Sequence, residues 1–196
     1  MVTVRSGGRL PHWEEKRATY FVTFRLADAL PASVLESFEL RRENILAATD
    51  LGGADVSQYK RDKLRELFDG LIERHLDAGS GSCYLARPKI AEVVAATLKH
   101  YNGQRYTILA WCLMPNHVHV VFTAHSGSTL AEILHSWKSF SASRANRLLG
   151  RTGPFWQREY YDHLVRDDRD LERVVQYVLD NPAKAGLVDW RWVGRS

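Results

Sequence analysis

The chain has 196 residues, 45% of them hydrophobic and 26% charged, with 13 Gly and 6 Pro, a composition that excludes a fibrous or low-complexity chain and predicts a single domain with one sizeable core. The net charge is +4, and its excess lies in the C-terminal half: residues 1–96 carry 14 Lys/Arg against 14 Asp/Glu, and residues 97–196 carry 13 against 9. Cys83 and Cys112 lack CxxC spacing, which excludes a disulfide framework, and no stretch nears the roughly 18 apolar residues of a membrane span or resembles a signal peptide, so a cytoplasmic protein is expected.

In chain order, residues 1–18 read as a glycine-rich basic arm containing Arg5 and Arg9. A strand follows over Thr19–Leu26, where Tyr20-Phe21-Val22-Thr23-Phe24 is β-branched and aromatic. Apolar residues then recur at helical spacing over Pro31–Thr49 and Ser57–Leu76, divided by Gly52-Gly53, and again over Pro88–Tyr101. Tyr106–Leu113 and His117–Thr123 read as a buried hairpin turning at Met114-Pro115-Asn116. Thr129–Leu149 is a helix closed by Gly150, Phe155–Val165 reads as the last strand, and Asp167 or Asp168 caps a helix that Pro182 stops at Asn181. The fold expected is α+β, an antiparallel sheet with helices packed on its faces.

Two constellations carry chemistry. In His117-Val118-His119, side chains at i and i+2 of a strand share a face, so both imidazoles can reach one metal ion. Position 121 is Val, which excludes a histidine-triad hydrolase, and no HExxH occurs. Two imidazoles leave a metal under-coordinated, so a third ligand is expected from elsewhere. On a helix Tyr177 and Asn181, at i and i+4, stack one turn apart and offer a nucleophile beside an amide oxygen. The same pair also reads as a core anchor and a helix cap.

The segment WCLMPNHVHVVF, residues 111–122, resembles the HUH motif of single-tyrosine insertion-sequence transposases, U being a bulky hydrophobic residue. LPHWE, YFVTFRLAD, FWQREYYDH and YVLDNPAKAGLV extend the resemblance to the REP-associated tyrosine transposases, relatives linked to repetitive extragenic palindromes. It implies a ferredoxin-like HUH nuclease core, with His117 and His119 as metal ligands, Tyr177 as nucleophile and Asn181 as third ligand. It further implies attack on single-stranded DNA, a 5′-phosphotyrosine link and a freed 3′-OH. The charged helices of residues 31–101 are longer than the family's minimal plan, and read as an enlarged scaffold.

The expectation is therefore a metal-dependent single-strand DNA endonuclease and strand transferase acting near palindromic hairpins, with Mg²⁺ or Mn²⁺ suiting two imidazoles and an amide better than a closed zinc site does. A non-catalytic hairpin-binding regulator is the alternative, and both a monomer and a homodimer fit. Phosphate contacts are expected from Arg5, Arg9, Lys138, Arg144, Arg158 and Arg166. Tyr160 is a competing tyrosine, and His163 can approach the metal or bond one of its ligands. Trp156 and Gln157 read as core packing.

Overall fold

In the computed structural model, the described residues are 3–5, 12–14, 18–47 and 54–195. The hairpin of β4 (Tyr106–Leu113) and β5 (His117–Ala124) forms the middle of a five-stranded sheet. β3 (Thr19–Arg25) lies antiparallel to β5, β6 (Tyr161–Leu164) to β3, and β7 (Val193–Arg195) to β4, giving the order β6-β3-β5-β4-β7. Every strand pairing is antiparallel, as expected. β5 is buried along nearly its whole length, because helices cover both faces of the sheet. A bulge between Ile108 and Ala110 shifts the register of β4 against β5.

One face belongs to α5 (Leu130–Leu149), whose Trp137 packs on Phe24, Tyr106 and Phe122 at ring separations of 6.4, 5.0 and 4.9 Å. Thr129 and Glu132 form a capping box at its start, and Gly150 ends it at φ 62°. α4 (Pro88–Lys99) packs beside α5. The other face carries α6 (Asp168–Lys184) and the unit of α1 (Ala32–Ala47), α2 (Ala54–Leu67), a π-helical turn at Phe68–Glu73 and α3 (Arg74–Asp77). Phe68 stacks on Tyr161 of β6 at 4.0 Å and thereby fixes that unit to the sheet. Trp156 is buried against Phe24 and donates to Ser141 Oγ at 2.9 Å, while Gln157 donates to Ala27 O, so both pack as expected.

Four expectations are corrected. Of Phe155–Val165 only Tyr161–Leu164 is a strand. Trp156 makes a single bridge to Leu26 with its indole turned into the core, so Tyr160 precedes the strand. The last strand is β7, a short edge segment whose Gly194 lies so close to Trp111 that a Cβ would stand 2.7 Å from its indole nitrogen. α6 continues past Pro182 to Lys184, since the missing N–H forfeits one bond near the helix end while Ala185 N–H still reaches Asn181 O at 3.1 Å. The expected arm contains two short paired strands, β1 (Thr3–Arg5) and β2 (His12–Glu14). Arg5 thus stands on β1, and its side chain lies outside the described residues, as do Arg9 and Gly52-Gly53. Among the described residues no helix is long and apolar enough to cross a membrane.

Candidate active site

His117 and His119 point from β5 toward the α6 face, as period-two geometry requires, and both are fully buried. Their Nε2 atoms lie 2.8 Å apart with the rings nearly perpendicular at 81°. The outer nitrogens are held by residues of β3 and of the turn before β5. His117 Nδ1 meets Asn116 Oδ1 at 2.7 Å, and the Asn116 amide donates to Leu76 O and Ser80 O at 3.1 and 2.9 Å. That network fixes the amide orientation, so Oδ1 accepts, His117 carries its proton on Nδ1, and its Nε2 presents a lone pair. His119 Nδ1 meets Thr23 Oγ1 at 2.8 Å. A hydroxyl donates or accepts, so His119 can also turn an Nε2 lone pair to the same point.

Burial pushes the His119 pKa down to about 3. His117 falls well below its ordinary value, chiefly by burial, with His119 and the Arg25 guanidinium adding to the shift. Both are therefore neutral at pH 7, the form that ligates metal. Between about pH 3 and 6.5 the unfolded chain binds protons that the folded site refuses, so stability is undiminished above pH 6.5 and falls as the pH drops below it. Urea melts with chelator present between pH 7.5 and 4.5 are expected to show this slope, weakened in a His119→Gln variant. An equal slope in both proteins contradicts it.

α6 lays Tyr177 against this pair. Its ring meets His119 edge-on at 5.5 Å and Phe21 at 5.7 Å. Lys184 Nζ stands 5.5 Å from the ring centre, and the phenol hydroxyl donates to Glu73 Oε2. Asn181, one turn further along, is buried, and its Oδ1 has no hydrogen-bond partner. An orphaned buried amide oxygen is a costly arrangement that a ligand would relieve. Among the described residues no three His, Cys, Asp or Glu side chains gather as a metal site; the orphaned oxygen keeps Asn181 a candidate for the third donor that the resemblance implies. Two neutral imidazoles and one amide oxygen fit a hexacoordinate cation with open positions.

The remaining sequence candidates fall elsewhere. His163, on β6, bonds Asp170 of α6 at 2.7 Å and ties strand to helix; burial lowers its pKa against the opposing pull of Asp170. Tyr160 lies under Lys138 Nζ at 5.7 Å. Lys138 itself donates to Arg158 O, and burial lowers its pKa to about 8. These residues and exposed Arg158 line a cleft of about 580 Å³ with Leu134, Ala142 and Trp156. Lys138 and exposed Arg144 belong to α5, on the sheet face opposite the histidines. Arg166 pairs with Asp62 at 3.3 Å on the histidine side. Among the described residues, the expected cations thus do not form one patch.

Sequence reasoning missed Thr23, Arg25, Glu73 and Asn116. Thr23 and Arg25 stand directly across from His119 and His117 in the β3–β5 register, a pairing that only the folded sheet reveals. Asn116 has a visible signal in its place immediately before His117.

Five antiparallel strands with helices on both faces make the fold α+β, as expected, with paired histidines on the central strand and the Tyr177 helix laid over them. The family model for IS200-like transposases matches residues 85–181, just under half of the chain. The chain is similar to a Haemophilus influenzae protein assigned to the REP-associated tyrosine transposases, 28% identical over 103 residues, covering 47% of this chain and 57% of that one. It is also similar to the Escherichia coli REP-associated tyrosine transposase, 26% identical over 99 residues, covering 48% and 58%. The matches thus span less than two thirds of either relative. A solved structure described as a REP-associated tyrosine transposase bound to a REP hairpin superposes with a TM-score of 0.51 at 17% identity, over 93% of this chain and 79% of that one. It shows the shared fold. The family match begins at Leu85, after the long helical unit.

Proposed function

We propose that the chain is a divalent-metal-dependent nuclease and strand transferase that cuts single-stranded DNA beside a palindromic hairpin. The observation that carries this reading is the convergence of the two Nε2 atoms, 2.8 Å apart, beneath the ring of Tyr177. His117, His119 and Asn181 would hold Mg²⁺ or Mn²⁺, which when bound polarises a phosphoryl oxygen and favours the phenolate over the phenol. Asn116 and Thr23 hold the two imidazoles by their outer nitrogens. Tyr177 attacks phosphorus, its oxygen becomes linked to the 5′ side, and the 3′ oxygen departs. The reverse attack by a 3′-OH joins strands without an outside energy source. The hairpin as partner is supported by the hairpin-bound relative and by the basic excess of the C-terminal half.

Incubation with a labelled hairpin oligonucleotide carrying a single-stranded flank is expected to give a denaturant-resistant adduct with Mn²⁺ and none with excess chelator. His119→Ala is expected to lower the yield by about 100-fold or more. Equal yield with chelator would contradict the metal's role. Tight, salt-sensitive binding without any adduct would favour a hairpin-binding regulator.

A further inference from the structure

The helical unit ahead of the family match contributes a side chain to the candidate nucleophile. Glu73 ends the π-helical turn Phe68–Glu73, is 7% exposed, and accepts the hydrogen bond of the Tyr177 hydroxyl. π-Helical turns are rare, and their wider spacing brings a residue five positions on to the same side. Here that turn carries Glu73 to the side of Phe68, which the stack on Tyr161 presses onto the sheet. Burying a carboxylate is costly, and a regular helix continuing the apolar stripe of Leu64, Phe68 and Ile72 would turn Glu73 away.

We infer that Glu73 is the proton acceptor for Tyr177, a role that rests on reading Tyr177 as the nucleophile. As the Tyr177 Oη–phosphorus bond forms and the phosphorus–O3′ bond breaks, the phenolic proton passes to the Glu73 carboxylate. The departing 3′ oxygen takes its proton from water. In the reverse reaction Glu73 returns the proton to the leaving phenolate, so no co-reactant is consumed. The segment that reads as mere scaffold thereby completes the catalytic group.

The test compares wild type with Glu73→Gln, which keeps an acceptor oxygen for the hydroxyl but is a far weaker base. Adduct formation is timed on a hairpin oligonucleotide and on one with sulfur in place of the scissile 3′ oxygen, whose thiolate departs without a proton. With hairpin affinity and melting temperature near wild type, the adduct rate is expected to fall about 100-fold or more on both substrates. Glu73→Asp, with its carboxylate set back, is expected to retain an intermediate rate. Restoration of the Glu73→Gln rate on the sulfur substrate would assign Glu73 to the leaving group and overturn the inference, as would a wild-type rate on both. A fall that only tracks lost hairpin affinity would also overturn it. If Glu73→Gln does not fold, Glu73→Asp decides, and a wild-type rate there overturns it. An adduct mapped to Tyr177 in wild type, together with an unaffected variant, sinks this inference alone. No adduct in wild type sinks the reading beneath it.

Discussion

Tyr177→Phe is expected to abolish the covalent DNA adduct, a fall of about 10⁴-fold or more, while hairpin affinity changes less than about threefold. The substitution removes one oxygen and leaves the ring contacts with His119 and Phe21 in place. The lost hydrogen bond to Glu73 costs about 1 to 3 kcal/mol of stability, so the variant still folds. No other tyrosine replaces it. Tyr161 packs flat on Phe68, and Tyr160 faces the cleft beside Lys138, on the far side of the sheet from the histidines. Denaturing-gel adduct assays beside equilibrium binding measure both quantities. Undiminished adduct in the variant would place the nucleophile elsewhere.

The largest effect on stability is expected from Trp137→Ala. The ring is 2% exposed and meets three aromatic neighbours. Its indole N–H donates to Tyr106 Oη, which donates in turn to Leu98 O, both at 2.7 Å. Truncation empties the centre of the α5 face and breaks this relay, at a cost of about 3 to 5 kcal/mol. That is a large part of the roughly 5 to 15 kcal/mol that holds a domain of this kind together. Trp137→Phe keeps most of the packing and loses the bond, so a smaller loss of about 1 to 2 kcal/mol is expected. Urea denaturation of both variants gives the comparison. Equal losses would mean that the relay, and not the ring volume, dominates.

The central hairpin and the two motifs were legible because each rests on a local period. Alternation on β5 places His117 and His119 on one face, and i, i+4 spacing aligns Tyr177 with Asn181. Glu73 was not legible, because a π-helical turn breaks the helical period from which its direction would be read. Nor were Thr23 and Arg25, whose placement depends on strand register across nearly a hundred residues of chain. Aromatic content drew the strand at Phe155 too long, since pairing there stops at the single bridge of Trp156 to Leu26, while the Trp156 and Gln157 side chains bond Ser141 and Ala27. β7 has only three residues, and its alignment beside Trp111 has no local signature. Pro182 marked a stop one turn early, because a missing N–H near a helix end removes only one bond.

The most direct measurement is peptide mapping by mass spectrometry of the adduct formed from the wild-type chain, a single-stranded hairpin oligonucleotide and Mn²⁺. A nucleotide bonded through its 5′ phosphate to Tyr177, formed only with the metal present, is expected. An adduct on any other residue, or cleavage with no covalent link to protein, would contradict this reading.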